Sequence, residues 1–273
     1  MARSFDLVDF KVAEAEFFLS HISECGPDFF AVQCHVSAFL SSTRSITYAI
    51  QACLKNIEQF ADWYKTIQEK VKTDSLSKFF HKFRNVNQHI GENVVRVGAM
   101  TSGKCIYWFS PVADLQTVPE QNVESACRAY FLTILSVVYD CYKDFGPHID
   151  PKQHYTQEHF ARIGKTIEDA EEELFGIRGW SKVPGYPEAY RWQALRDSQP
   201  GCGINHIFSE YLGKMLPEPA RLPDLPPLED EGWYQMGNGG RVWIPLESRI
   251  SDDPMECLEH FRKTIENKNN EER

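Results

Sequence analysis

Residues 75–91, SLSKFFHKFRNVNQHIG, are the stretch of sequence that decides the fold. Asp74 or Ser75 is a candidate N-cap, and Gly91 stands where a left-handed C-cap would end a helix. At about 100° per residue, six apolar side chains fall within one arc of about 120°, the width of a core-facing stripe: Leu76, Phe79, Phe80, Phe83, Val86 and Ile90. The spacing therefore predicts one helix of about four turns that packs by this face.

The other side of this helix is polar and carries five side chains: His81, Arg84, Asn85, Gln88 and His89. Asn85 and His89 are one turn apart, and Arg84 lies beside them. An arginine binds phosphate, an amide makes fixed hydrogen bonds, and a histidine ring titrates near neutral pH. Such groups are the parts of a phosphodiester-cleaving site that needs no metal. The alternative is a solvated helix face whose Arg and His pair with neighbouring side chains.

The motif Arg84-Asn85-Val86-Asn87-Gln88-His89 resembles that of the HEPN superfamily of small all-helical proteins. Ribonuclease members of that superfamily carry an Arg, four to six intervening residues and a His, usually with a polar residue after the Arg. The resemblance covers roughly residues 8–146 and implies a metal-independent endoribonuclease. In that reaction the 2′-hydroxyl of RNA attacks the adjacent phosphate and leaves a cyclic phosphate end, which DNA cannot do.

The resemblance also implies a role for each residue of the R-N-x-x-x-H motif. His89 would be the general base or acid, Arg84 would stabilise charge on the phosphate, and Asn85 would hold His89 or the substrate. Three further residues are candidates for a supporting role: His81, Arg44 and Gln88. We expect no metal ion and no other cofactor.

In the HEPN family, two copies of the motif meet at a dimer interface and form one composite site. The position of the motif agrees with this, because a polar face opposite the core is shielded from water only by something outside its own bundle. The resemblance therefore implies an RNA substrate, a homodimer, and control by an antitoxin or a sensor partner protein. It implies a toxin or an antiviral defence effector.

Two other classes of function compete with the ribonuclease. A HEPN-like bundle without catalysis would serve as a binding or assembly module, and the net charge of −10 favours this over a general nucleic-acid binder. The neighbourhood of the motif differs, since residues 55–100 carry eight Lys or Arg against five Asp or Glu. The third class is a nucleotide-binding regulator, but the sequence contains no Gly-rich phosphate-binding loop that would support it.

A second polar stripe is predicted on the long helix that starts at Pro27. It consists of small and hydrogen-bonding residues: Ser37, Ser41, Arg44, Tyr48 and Gln51. Small residues let helices approach closely, so this stripe is a candidate to face the motif, with Arg44 as a second phosphate contact. The alternative is an ordinary solvated or internally bonded face.

The chain as a whole, at 273 residues and 42% hydrophobic, is long enough for a sizeable core. No stretch reaches the roughly 18 to 20 apolar residues of a membrane helix. The N-terminus lacks the apolar core of a signal peptide, so we expect a cytoplasmic protein that does not contact the membrane. The eight cysteines show no C-x-x-C pair, which favours buried thiols over disulfides or zinc.

The predicted fold is mostly α, an up-and-down helical bundle with an inserted β-hairpin and a C-terminal extension that carries a second hairpin. Residues 1–150 form the HEPN-like bundle, with the first hairpin near 93–110. Residues 151–215 form a helical extension that begins with one helix from Pro151 to Phe175. Residues 216–230 are a Pro-rich linker, and 231–273 hold the second hairpin and a last helix.

Overall fold

The computed structural model describes residues 4–101, 104–182, 186–223, 233–235, 241–244, 248, 250–251 and 253–271. Its helices, in chain order, are α1 (Asp6–Glu24), α2 (Phe29–Leu54), α3 (Phe60–Thr73), α4 (Ser75–Asn85), α5 (Val123–Asp144), α6 (Gly146–Ile149), α7 (Pro151–His154), α8 (Gln157–Arg162), α9 (Ile167–Phe175), α10 (Glu188–Asp197), α11 (Asn205–Ile207) and α12 (Pro254–Glu271). Its strands form two antiparallel pairs, β1 (Val95–Thr101) with β2 (Lys104–Phe109), and β3 (Trp233–Gln235) with β4 (Arg241–Trp243). The predicted mostly α fold with an inserted β-hairpin is confirmed.

Three predicted features fall partly outside the described residues. They are the turn of the first hairpin at Ser102 and Gly103, the Pro-rich linker over residues 224–230, and the turn of the second hairpin over 237–240. Among the helices that the structure describes, none is long and apolar enough to cross a lipid bilayer.

The chain folds into two compact units, of which the first comprises Met1–Asp150 and Cys202–Pro217. Residues 202–215, which the sequence pattern predicted to belong to the helical extension, are part of the first unit instead. Ile204, Ile207 and Phe208 are at most 2% exposed in the core of that unit. The segment joins the first unit because its apolar side chains are buried in the core of that unit. Contacts between residues so distant in sequence leave no local pattern from which they could be predicted.

Helix α4 begins where the sequence predicted, and the structure selects its cap. The Asp74 carboxylate accepts a 2.7 Å hydrogen bond from the Ser77 backbone N–H, so Asp74 and not Ser75 is the N-cap. Gly91 ends the element with φ of 79°, the left-handed conformation in which glycine meets no Cβ clash.

The core of the first unit is built around aromatic side chains of α4. Phe80 stacks on Tyr130 of α5 with ring centroids 4.6 Å apart and an angle of 17° between the rings. Phe39 of α2 meets both rings edge-on at 6.4 Å. Because Phe39, Phe80 and Phe83 are at most 1% exposed, the predicted apolar face of α4 is the face that packs.

The first hairpin leans on this core, as an isolated two-stranded ribbon must. Phe109 of β2 lies 4.9 Å from Phe79 and 5.9 Å from Phe83, measured between ring centroids. The Tyr107 hydroxyl donates a 2.8 Å hydrogen bond to the backbone carbonyl of Gly26. The hairpin is therefore a packed element of the unit.

One residue of the predicted apolar face lies elsewhere: Ile90 is 54% exposed. Helix α4 widens into a π-helical turn over Val86–Ile90, closed by a hydrogen bond from the Gly91 N–H to the Val86 carbonyl. A turn with i→i+5 bonding rotates each successive side chain about the helix axis by a smaller angle than an α-helix does. The last residue of the predicted apolar stripe, Ile90, therefore points away from the core face.

The second unit contains Pro151–Gly201 and Glu218–Arg273 and has its own small core around Phe160 and Trp192. The single helix predicted from Pro151 to Phe175 is wrong, because the structure has three short helices there, α7, α8 and α9. Thr156 starts α8 with a hydroxyl that accepts from the His159 N–H, and Gly164 has φ of 71°. Threonine caps and a left-handed glycine interrupt the helix despite its apolar periodicity.

Candidate functional site

Helix α2 contacts the R-N-x-x-x-H helix through its stripe of small polar residues. The Ser37 hydroxyl donates a 2.8 Å hydrogen bond to the Asn87 amide oxygen, and the Gln88 amide donates one of 2.6 Å to the Ser41 hydroxyl. The predicted stripe therefore does face the π-helical turn. Gln88, a predicted supporting residue, is tied to α2 by this bond.

Helices α2, α3, α4 and α5 enclose a cavity of about 420 Å³. A volume of this size falls within the range of about 300–1,000 Å³ that is typical of small-molecule sites. Its apolar wall is formed by Leu40, Ile67, Val71, Phe80, Tyr130, Ile134 and Val137. Its polar wall is formed by Arg44, Thr47, Tyr64, Gln68, Lys72, Ser77, Lys78, His81 and Arg84. We call this space the four-helix cavity.

Polar atoms without partners are concentrated at the four-helix cavity. The Nε atoms of Arg44 and Arg84 and the Oγ atom of Ser77 are buried and make no hydrogen bond, and all three residues line the cavity. In the part of the chain that the structure describes, only one further buried side-chain atom lacks a partner, a carboxylate oxygen of Glu92. A buried donor without an acceptor lowers the stability of the fold by about 1–3 kcal/mol. The unpartnered buried donors of the described residues lie together, at the wall of the four-helix cavity.

The two arginines also lack counter-charges. Over the described residues, neither Arg44 nor Arg84 forms an ion pair, and none of the cavity-lining residues is acidic. Arg44 stacks over the Tyr48 ring at 4.4 Å and donates to its hydroxyl at 3.1 Å, which positions the guanidinium without neutralising it. Lys72 and Lys78 add two more positive charges to the wall.

The pKa of His81 is affected by the positive charges at the four-helix cavity. Its pKa lies below the ordinary value, first because burial disfavours the charged ring and then because Arg44 and Arg84 repel a proton. The lowered pKa leaves the ring mainly neutral at pH 7, with one nitrogen as donor and the other as acceptor. Burial raises the pKa of Tyr130 to about 12, with the same two arginines acting in the opposite direction. The charges of Arg44 and Arg84 therefore act on two residues of the same cavity wall, His81 and Tyr130.

The structure divides the predicted site into two groups. Arg84, Arg44 and His81 meet at the four-helix cavity, whereas Asn85 and His89 are exposed and are not among the residues that line it. In a regular α-helix, residues five apart point about 140° away from each other. The π-helical turn reduces this angle between Arg84 and His89, and such turns occur frequently at functional sites.

Several polar residues of the cavity wall were not predicted from the sequence, and Ser77, Lys72 and Lys78 are the clearest of them. Ser77, His81 and Arg84 are separated by four and three residues and so follow one line along α4. That spacing was visible in the sequence. The approach of α3, which brings Lys72, depends on tertiary packing and was not.

The second unit contains two neighbouring histidines, His154 and His159. The break between α7 and α8 brings the rings of His154 and His159 to 4.9 Å, and His154 Nε2 lies 2.8 Å from a Glu173 carboxylate oxygen. Within the described ranges, no group of three or more His, Cys, Asp or Glu side chains is placed to hold a metal ion. The contact between His154 and Glu173 is a hydrogen bond at a partly exposed position of that unit.

Residues 18–101 match the protein family described as Bacteriophage lambda protein ea47. The matched region begins within α1, ends with β1, and contains Arg44 together with the complete R-N-x-x-x-H motif. It leaves out α5 and the whole second unit. No curated protein and no solved structure matches the chain.

Proposed function

We propose that this protein is a metal-independent endoribonuclease of the HEPN type. The observation that carries the proposal is the placement of Arg84 and His89 on one helix at a π-helical turn. Arg84 is half-buried with a donor that lacks a partner, and His89 is exposed. A cation and an accessible imidazole carried by one helix are groups that phosphodiester cleavage by proton transfer uses.

The proposed reaction needs two imidazoles, and a second copy of the chain would supply the second one. One His89 takes the proton of the 2′-hydroxyl, and the 2′-oxygen attacks the adjacent phosphorus. The bond from phosphorus to the 5′-oxygen breaks, and the partner's His89 gives that oxygen a proton. Arg84 stabilises the negative charge that develops on the phosphate, which remains on the upstream fragment as a 2′,3′-cyclic ester while the 5′-hydroxyl fragment leaves.

Two features support a second copy at this position. Ile90, next to His89, is 54% exposed and offers apolar surface beside the motif. Asn85 and His89 lie outside the four-helix cavity on the accessible side of the helix. We therefore include a homodimer in the proposal, with activity controlled by whatever brings the two motifs together, such as an antitoxin or a sensor partner.

The match to a phage protein family supports a setting in phage infection. The HEPN resemblance places toxins and antiviral defence effectors in such a setting. We propose a role of this kind for the chain, acting on RNA in the cytoplasm.

The nucleophile gives a direct test of the proposed reaction. An oligoribonucleotide that the protein cuts should become resistant when the nucleotide before the cut carries a 2′-deoxy sugar, because that substitution removes the attacking hydroxyl. Cleavage of the deoxy-substituted substrate at the same position would reject the mechanism. A 2′-deoxy sugar two nucleotides away is the matched control and should leave cleavage unchanged.

A non-catalytic binding module is the second candidate, and one observation favours it. Arg84 and His81 line the four-helix cavity, whereas His89 does not. Arg84 can therefore serve as a binding residue of the cavity without taking part in catalysis. For such a module, RNA stays intact and the His89→Ala variant keeps every binding property of the wild type. The cleavage assay separates the two candidates.

A further inference from the structure

The four-helix cavity combines an apolar wall with an unneutralised positive wall. Four side chains with permanent positive charge line it, from three different helices: Arg44, Lys72, Lys78 and Arg84. Asp74, the acidic residue nearest to them in the sequence, caps the Ser77 N–H; its charge acts on Tyr130, but it is not among the residues that line the cavity and forms no ion pair with the four cations. Like charges gathered without an anion destabilise a fold, so this wall is complementary to an anionic ligand.

The number and type of donors indicate a phosphate. Arginine offers a planar fork that matches phosphate geometry, and lysine adds a point charge. The buried and unpartnered Nε–H groups of Arg44 and Arg84 are donors that such an anion would satisfy, and the Ser77 hydroxyl is a third. A single carboxylate would leave much of this positive charge unneutralised.

The rest of the wall indicates an aromatic and partly polar body. Tyr64, Phe80 and Tyr130 belong to the cavity lining, and Tyr64 is the half-buried ring among them. Nucleobases stack on such accessible aromatic side chains. Gln68 and the neutral His81 add hydrogen-bonding groups that both donate and accept, as the edge of a base requires. A simple hydrocarbon chain would offer these two groups no hydrogen-bond partner.

From this combination we infer that the four-helix cavity binds a nucleoside 5′-phosphate, with the phosphate between Arg44 and Arg84 and the base against the apolar wall. The volume of about 420 Å³ suits one nucleotide and excludes a duplex. The ligand is either a free nucleotide or the phosphorylated 5′ end of an RNA. The inference goes beyond the proposed ribonuclease, since it concerns binding and holds whether or not RNA is cleaved.

Isothermal titration of the full chain tests the inference. The probes are the four nucleoside 5′-monophosphates, each beside its unphosphorylated nucleoside, and inorganic phosphate. At least one nucleotide should bind once per chain, and its nucleoside and inorganic phosphate should bind at least about tenfold more weakly, because each lacks half of the recognised groups. Absence of binding by all four nucleotides at millimolar concentration would overturn the inference.

Matched variants locate the binding to the cavity. Arg44→Gln should lower the affinity at least about tenfold through loss of a charge-assisted contact. Lys82→Gln makes the same change of charge at an exposed position of α4 outside the cavity wall and should change the affinity less than about twofold. Equal weakening by both variants, or none by Arg44→Gln, would reject the site.

Two further arms keep the test decisive. If Arg44→Gln fails to fold, Lys72→Gln at an exposed position of the wall takes its place and should weaken binding by several-fold. Dodecanoate is the alternative anion, and tighter binding of it than of every nucleotide would also reject the inference. An oligoribonucleotide with a 5′-phosphate that competes with the nucleotide, where its 5′-hydroxyl form does not, identifies an RNA end as the source, whereas failure to compete identifies the free nucleotide.

The His81 ring supplies an independent spectroscopic signature. A bound phosphate would counter the field of the two arginines, so nucleotide binding should raise the pKa of His81 in an NMR titration. A pKa that stays constant at saturating nucleotide would place the ligand elsewhere.

Discussion

The Ser37 hydroxyl donates a 2.8 Å hydrogen bond to the Asn87 amide oxygen, and this contact joins helix α2 to the π-helical turn of the R-N-x-x-x-H motif. Gln88, the next residue of the turn, bonds to Ser41 one turn further along α2. The two bonds hold the turn against α2, on a helix whose aromatic face packs in the core. In this arrangement Arg84 lines the four-helix cavity and His89 is accessible.

A double-mutant cycle measures the bond between Ser37 and Asn87. Each single change, Ser37→Ala or Asn87→Ala, should lower the free energy of unfolding by about 0.5–1.5 kcal/mol, the usual net value of one hydrogen bond. The two effects should not add, and the interaction energy should be about 0.5–1 kcal/mol. Strictly additive effects in urea denaturation would show that the bond makes no contribution.

The docking of the first hairpin on α4 makes its own prediction. Phe109→Ala removes a ring that contacts Phe79, Phe80 and Phe83, and should lower the free energy of unfolding by about 3–5 kcal/mol. Met100→Ala on the other strand is the control, because Met100 is 65% exposed and its loss should change stability by less than about 0.5 kcal/mol. Equal effects of the two changes in denaturant unfolding would show that the hairpin is not docked.

The carboxyl of Asp9 makes stability depend on pH. Burial raises its pKa from 3.8 to about 6, against hydrogen bonds from the Tyr142 hydroxyl at 2.7 Å and the Gly203 N–H at 3.2 Å. The folded state therefore holds this proton to a higher pH than the unfolded state does. Stability from this group is present below about pH 4 and is lost as pH rises to about 6, by at most about 3 kcal/mol.

Asp9→Asn removes this dependence and keeps an oxygen that accepts both hydrogen bonds. The difference in unfolding free energy between variant and wild type should grow in favour of the variant as pH rises from about 4 to about 6. Asp62→Asn, at an exposed position of α3, is the control for the loss of one surface carboxylate. A difference for Asp9→Asn that does not change with pH would mean that the carboxyl of Asp9 titrates normally in the folded protein.

The composite site is tested by mixing chains. Refolding Arg84→Ala chains together with wild-type chains should give heterodimers that cleave RNA about 10²-fold more slowly than the wild type or worse, since loss of one charge-stabilising donor has about this effect. The fraction of full activity should follow the square of the wild-type fraction. Activity in simple proportion to the wild-type fraction would show that each chain works alone.

Much of the fold follows from local pattern in the sequence. The spacing of Phe79, Phe80 and Phe83 predicted the packing face of α4, and Asp74 and Gly91 marked its ends. Local signals failed where the backbone departed from regular geometry. The π-helical turn exposed Ile90, and a helix predicted as continuous broke at Gly164, where the backbone is left-handed.

The candidate site was predictable only in part. The sequence indicated Arg84 and His81 on one predicted helix and Arg44 on another. The structure brings all three to the four-helix cavity. The cavity itself depends on how closely α3 and α5 approach α4, which is a property of long-range packing. Asn85 and His89 remain on the accessible side, so their predicted roles rest on the proposed second copy.

The most direct test of the proposed ribonuclease is to incubate the purified protein with total RNA and excess chelator, beside His89→Ala, and to analyse the new ends. We predict fragments with 2′,3′-cyclic phosphate ends from the wild type, with at least about 10²-fold less from His89→Ala at unchanged fold and dimer content. The His206→Ala variant controls for the loss of an imidazole elsewhere. Equal cleavage by wild type and His89→Ala, or intact RNA from a wild-type protein that is dimeric and folded, would contradict the proposal.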